Sequence, residues 1–418
     1  MRRADTSSTA ARRAAGALAL LLAAPAGVCY AGTDWDLGLD ARLVNSDALP
    51  PFSQGGYGTT RYGSNEDGLQ LGRLRLALTQ PLGEVWSVHL DASMYDDQGR
   101  SPVGLTEAYL LFRPYPFAGW RLRLKAGGFY APISLENRAA GWDSPYTISY
   151  AAIDSWLGVE VRTIGFEGSL EWLGTRSGHD FDLGVTAGAF GWNEGAGAVL
   201  ASRGFVLTDR QTGLFQTIGK PGGATLHEEQ PFLELDHRAG VYAGLEARYL
   251  DRVVLRFLHY DNRADPTALD GVSGAIAWNT SFDSAGVRVE GEHGWTAIAQ
   301  WLKGQTSIAP GGESLSWPFR AGYALLAKRT GRHTLALRYD RFEVDATGGS
   351  DGGGTQSGHA WTASYAFDLD AHWRLALEWL QVVSNSYNRA DAGGAPLLTE
   401  TQLQLAVRYS IGSANLYR

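Results

Sequence analysis

Trp86-Ser87-Val88-His89-Leu90-Asp91-Ala92-Ser93-Met94-Tyr95 decides the fold. Trp86, Val88, Leu90, Ala92 and Met94 alternate without an error against Ser87, His89, Asp91, Ser93 and Tyr95, the period of a strand with one apolar and one wet face. A random binary pattern matches a ten-residue template about once in a thousand windows. One such window suggests a strand, and several define an all-β chain.

Working outward, the same period recurs. Leu74, Leu76 and Leu78 alternate with Arg73, Arg75, Ala77 and Thr79, and Leu122, Leu124 and Ala126 with Arg121, Arg123 and Lys125. Phe181, Leu183, Val185, Ala187 and Ala189 repeat it, as do Trp361 to Phe367, Trp373 to Trp379 and Leu403 to Tyr409. Turn signals such as Pro81-Leu82-Gly83, Thr330-Gly331 and Asp368-Leu369-Asp370 separate the runs. The spacing predicts sixteen strands, near 35–44, 69–79, 86–95, 105–113, 120–129, 159–170, 179–190, 241–249, 252–260, 283–290, 295–303, 319–328, 332–343, 359–367, 372–382 and 401–410. An even set of roughly ten-residue strands joined by alternating short and long connections fits a transmembrane antiparallel β-barrel, wide enough at sixteen strands for a water-filled lumen. The 53 Gly, 14 Trp, 18 Tyr and 15 Phe suit interfacial girdles and tight turns. A secreted sandwich or propeller is the competing architecture.

Arg2, Arg3, Arg12 and Arg13 precede the apolar run Ala14–Ala24 and the small-residue segment ending at Ala31, so residues 1–31 read as a signal peptide and 32–418 as the barrel. Ala26-Gly27-Val28 before Cys29 is a poor lipobox, and the residues after Arg12-Arg13 are a poor twin-arginine signal, which favours general secretion. The apolar run is too short for a spanning helix of about 20 residues, and no later stretch supplies one. Cys29 is the sole cysteine, so the barrel has neither disulfides nor thiolate chemistry. With 36 Lys+Arg against 44 Asp+Glu, net charge −8, the chain is a poor partner for nucleic acid.

Gly127-Gly128-Phe129-Tyr130-Ala131-Pro132-Ile133-Ser134-Leu135-Glu136, followed by Trp142 and Asp154-Ser155-Trp156, resembles the phosphate-selective porin O/P family. Thr106-Glu107-Ala108-Tyr109 and His359 to Tyr365 are similar to it as well. The resemblance implies a 16-stranded trimeric barrel that conducts anions past an arginine ladder and a lysine cluster. By position, Arg121, Arg123, Lys125, Arg73 and Arg75 would line the lumen. The four lysines, Lys125, Lys220, Lys303 and Lys328, are scattered and form no cluster in sequence.

Basic side chains at two-residue spacing stand about 6.8 Å apart on one strand face, a rail that draws anions through a narrow lumen. They can equally pair with lumen carboxylates, Asp91, Glu107, Asp180, Asp182, Glu246, Glu290 and Glu378 among them. The segment Tyr130–Gly158, carrying Glu136, Asp143 and Asp154, is the candidate for one loop folded into the lumen as a constriction. An ordinary surface loop at trimer contacts is the bland alternative. The longer stretch Gly191–Gly240, with His227-Glu228-Glu229 and Asp236-His237, matches no ligand motif and reads as a solvated loop. Asp345–Gly358 lacks the spacing of a calcium loop.

No Gly-x-Ser-x-Gly elbow is visible, and His89 beside Ser87 has no orienting motif, which speaks against an enzyme. The sequence reading is therefore an outer-membrane porin of a Gram-negative bacterium, a homotrimer passing small hydrophilic or anionic solutes, bathed in lipid and lipopolysaccharide, with no cofactor or metal. An outer-membrane hydrolase and a plugged structural or adhesive barrel are the alternatives.

Overall fold

A computed structural model describes residues 32–96, 102–218, 230–347 and 353–413; the leader, His227-Glu228-Glu229 and the last five residues lie outside them. The described chain closes sixteen antiparallel strands into one barrel. These are β1 (Asp34–Ser46), β2 (Gly68–Pro81), β3 (Trp86–Met94), β4 (Val103–Phe112), β5 (Trp120–Phe129), β6 (Thr163–Trp172), β7 (Phe181–Gly191) and β8 (Gly240–Tyr249). The second half holds β9 (Val253–Asp261), β10 (Asn279–Glu290), β11 (Trp295–Ile308), β12 (Leu315–Thr330), β13 (His333–Val344), β14 (Gln356–Asp368), β15 (Trp373–Ser386) and β16 (Leu397–Gly412). Each strand pairs with its sequence neighbour, and β1 closes on β16 from Asp36↔Gly412 to Ser46↔Gln402. Tight turns such as 82–85, 250–252 and 331–332 share one end of the barrel with β1's start and β16's finish; the long connections share the other.

Alternation becomes wall geometry. Trp86 and Leu90 face outward on β3 while Asp91 and Ser93 are buried inside, and Leu39, Leu43, Trp301, Trp361 and Leu405 continue the apolar exterior. No described helix is long and apolar enough to cross a membrane. Two bulges shape the inner wall. At Gly72, opposite Asp40/Ala41, an added Cβ would stand 2.4 Å from Arg42 Nε, so only glycine lets that guanidinium lie flat on the wall. At Thr106, opposite Asp91/Ala92, the hydroxyl donates to the Asp91 carbonyl at 3.0 Å.

The lumen corrects two expectations. Three connections enter it rather than one: residues 47–67, 130–162 and 193–218 are largely buried within the barrel. The last belongs to the stretch read from sequence as solvated. The middle insertion carries α1 (Ala152–Glu160) and the third α2 (Ala198–Arg203); a third short helix, α3 (Tyr387–Asp391), caps the β15–β16 connection. The start of the strand expected at 159–170 falls in α1 and its following turn, so β6 begins at Thr163.

One side of the inner wall is apolar. On β12, Phe319, Ala321, Tyr323 and Leu325 point inward while Arg320, Ala324, Leu326 and Lys328 point out. Trp156 of α1 packs edge-on against Phe282 at 5.3 Å and Phe319 at 5.0 Å. Ile133, Leu135, Leu200, Phe205, Phe342 and Leu380 complete the core. Burying a large apolar side chain contributes roughly 1.5–3 kcal/mol, whereas a buried ion pair is often near neutral against an apolar substitute. The core therefore holds the insertions in the barrel, and the ion pairs fix their register.

Candidate functional site: a divided lumen

On the filled side, the wall grips the insertions by charge. Arg338 of β13, 0% exposed, donates to Glu136 at 2.8 Å, to Asp340 at 2.8 Å, and to the Ser149 and Tyr150 carbonyls at 2.8 and 2.9 Å. Glu136 also accepts from Ser144 and Thr147, both at 2.8 Å. From the wall, Asp340 accepts the Ala152 amide at 3.0 Å, and Glu378 accepts the Ile148 and Ser149 amides at 2.5 and 3.0 Å. Asp154 sits fully buried beside this network, its two oxygens without a hydrogen-bond partner. Burial, then the neighbouring Glu136 carboxylate, pushes its pKa well above the ordinary carboxyl range.

A second grip lies near the barrel seam. Arg42 reaches Asp40 at 2.7 Å and Asp209 at 2.5 Å, and Arg61 meets Asp209 at 2.7 Å, tying the first and third insertions to β1. Burial would raise Asp209, but the two guanidiniums outweigh it and hold it below the usual range. Arg73 pairs with Asp143, which also accepts from Tyr150 at 2.7 Å; Arg75 pairs with Asp36 at 2.5 Å and Asp91 at 2.6 Å. The insertions bind each other through Glu160, which accepts the Val199 and Leu200 amides at 2.7 and 3.0 Å, and through Ser155 and Thr208.

Toward its turn end, the wall from β5 to β9 is wet. Its inward positions alternate small residues, Ser169, Gly184, Thr186 and Gly244, with charged ones, around a cavity of 220 Å³. Nothing stands closer than 3.9 Å to where a Gly184 Cβ would lie. Here Glu171 is shared by three guanidiniums: Arg248 at 2.5 Å, Arg121 at 3.0 Å and Arg123 at 3.7 Å. Arg123 is 38% exposed. Lys125 pairs with Glu167 at 3.1 Å, and Glu246 is shared by Arg248 at 2.6 Å and Arg256 at 2.5 Å. Below the insertions, a 310 Å³ cavity at the turn end is lined by Arg329, Arg332, Arg374 and Arg408 with Asp368 and Asp370.

The residues singled out from sequence thus divide. Arg121, Arg123 and Lys125 face the open niche, each beside a β6 glutamate. Arg73, Arg75 and Asp91 are buried and paired, and Glu107 accepts the Tyr130 amide at 3.2 Å. Glu136, Asp143 and Asp154 all lie at the plug–wall contact. Sequence reasoning missed Arg338, Arg248, Arg256 and the arginines at the turn end. The alternation Glu246, Arg248 within a predicted strand was the available signal for one of them, Arg248.

Glu194, Glu234 and Asp236 converge with ligand oxygens within 4.8 Å of one another; burial and the Glu234 contact push the Glu194 carboxyl up to about 8. Among the described residues, histidine rings bond to Thr79, Asp283, Tyr365 and the Ser410 carbonyl, and none to a serine hydroxyl.

No family model and no curated protein matches the chain. Among solved structures, 91% of it superposes on in-vitro folded OmpT of Vibrio cholerae in its trimer form (99% of that chain, TM-score 0.51, 9% identity). It superposes equally on the outer membrane channel DcaP of Acinetobacter baumannii (96%, 0.51, 11%) and on Salmonella typhi OmpF in complex with daunomycin (97%, 0.52, 8%). The chain has the fold of porin-like outer-membrane β-barrels. Its place is the outer membrane of a Gram-negative bacterium, with long connections outward and turns toward the periplasm.

Proposed function

We propose that the protein is a porin through which small hydrophilic solutes diffuse passively, with a preference for phosphate-like and other small anions. The sharing of Glu171 among three guanidiniums carries this reading. Arg121, Arg123, Lys125, Arg248 and Arg256 outnumber the carboxylates they pair with, Glu167, Glu171 and Glu246, and Arg123, 38% exposed and the most loosely held, meets a passing oxyanion. The proposal extends to a signal peptide over residues 1–31 and to a homotrimer, the form described for OmpT. Pore lining falls to Arg121, Arg123, Lys125, Arg248 and Arg256, and the constriction to the insertion bearing Glu136, Asp143 and Asp154.

A closed structural or adhesive barrel is the second reading, favoured by the apolar core that fills the other side of the lumen. One experiment separates the two. Mature protein in a planar bilayer under a salt gradient should give open steps and an anion-selective reversal potential, with selectivity reduced roughly twofold in R123A. A correctly folded barrel that never opens would refute the channel and favour the closed barrel; open steps with unaltered selectivity in R123A would refute the anion niche alone.

A further inference from the structure

The outer wall of β11–β14 departs from a plain lipid face near its extracellular edge. Trp301, Gly322 and Arg341 are cross-strand partners in one row, and Ala324 stands opposite Tyr339. With only hydrogen and methyl groups between Trp301 and Tyr339, the wall carries an apolar trough of 290 Å³. The Trp301 ring closes over one edge, 3.5 Å from where a Gly322 Cβ would lie.

Cations border that trough on its extracellular side. Lys303 stands directly opposite Arg320 across the β11–β12 ladder, with Asp283 opposite Lys303 and Glu343 opposite Arg320 closing the row. Arg341 lies diagonal to Arg320, opposite Gly322 and His359. The carboxylates nearby are engaged or at the ends: Glu343 accepts from Arg320 at 2.6 Å, and Asp283, opposite Lys303, is bound by His259 at 2.8 Å. Among the described residues Arg341 has no ion-pair partner, although it is exposed on the outer wall. It stands eight residues beyond His333, about 27 Å along the strand, whereas the apolar band of such a barrel is ~25 Å tall. Strand tilt brings it to the edge of that band, where a cation reaches the headgroup layer.

We propose that this patch seats lipopolysaccharide, the phosphorylated acyl lipid of the outer leaflet. Arg341 and Lys303 take its phosphate, the guanidinium by two parallel hydrogen bonds, and an acyl chain lies in the trough over Gly322 and Ala324. An anionic head joined to an apolar tail matches a cationic rim joined to an apolar trough, whereas a flat apolar face would suit any hydrocarbon.

The test uses full mature protein refolded in zwitterionic detergent and titrated with purified rough-type lipopolysaccharide, followed by tryptophan fluorescence and native mass spectrometry. K303A/R341A should weaken binding tenfold or more, and G322L, which fills the trough, should do likewise. K328A at the periplasmic edge should leave it unchanged. Barrel integrity is checked in each variant by heat-modifiable gel mobility. Equal affinity in all variants overturns the proposal. So does phosphatidylglycerol binding as tightly as lipopolysaccharide, and so does a loss of oligomers in K303A/R341A, which would assign the face to a second copy of the chain.

Discussion

The two sides of the lumen share one wall, one strand period and one set of connections, yet differ in what their inward residues are. On β12 those residues are Phe319, Ala321, Tyr323 and Leu325, and the lumen there is a protein core. Toward the turn end of β5–β8 they are Arg, Lys, Glu, Asp, Ser, Thr and Gly, and the lumen there holds a niche of 220 Å³. A barrel thus becomes channel or plug by the polarity of alternate residues, with the fold unchanged.

The filled side is the place to break that contrast hardest. Arg338 is the one guanidinium bonded there among Glu136, Asp340 and Glu378, so R338A should cost about 3–5 kcal/mol by leaving buried carboxylates uncompensated. It should appear as a lower unfolding temperature and larger, noisier conductance steps. W156A opens a cavity in the same core, and ~3–5 kcal/mol is expected from chemical denaturation, with conductance rising less because the ion pairs keep the loop in register. A quiet channel of unchanged conductance in both variants would show that the insertion is not the constriction.

A finer contrast sets two buried acids side by side. Removing the charge of Glu136 by E136Q should destabilise by roughly 1–3 kcal/mol, since Arg338 loses one of its two bonded carboxylates. D154N should be neutral or stabilising by under about 1 kcal/mol, because burial and Glu136 disfavour the charged carboxylate and its oxygens hold no hydrogen-bond partner to lose. The smallest effect concerns Glu194, raised to about 8 from 4.5. A raised carboxyl stabilises the folded loop fully below the unfolded pKa, and the contribution is lost as pH rises through the folded one. Proteolytic nicking of residues 230–239 should therefore increase as pH rises from 4.5 to about 8 and level off above it, and E194Q should flatten the profile; nicking that falls with pH would contradict it.

The strands were legible because alternation is local: Trp86–Tyr95 carries its period whatever it touches. All sixteen segments appear, with ends moved by a few residues where β12, β15 and β16 run on into the extracellular rim. The face presented to the lumen was less legible, since a period of two reports that residues alternate and leaves open which set points in. Phe319–Leu325 shows the inversion. The third insertion was illegible for another reason. Asp209 is held by Arg42, 167 positions away, and no pattern near Gly191–Gly240 reflects a partner that distant. Arg121, Arg123 and Lys125 were visible as a basic row, but the β6 glutamates beside them follow from pairing register, which no single strand encodes.

The seam between β1 and β16 has a consequence for biogenesis. Asp36 and Gly412 are nearly the whole chain apart, and loop-closure entropy must be met before so distant a contact stabilises anything. Trp156 meets Phe319 only after the second half of the chain arrives. Until then the apolar faces of α1 and α2 have no wall to cover them, so a nascent chain halted before β12 exposes what the finished barrel conceals. Escort through the periplasm is thereby a requirement written into the order of the strands.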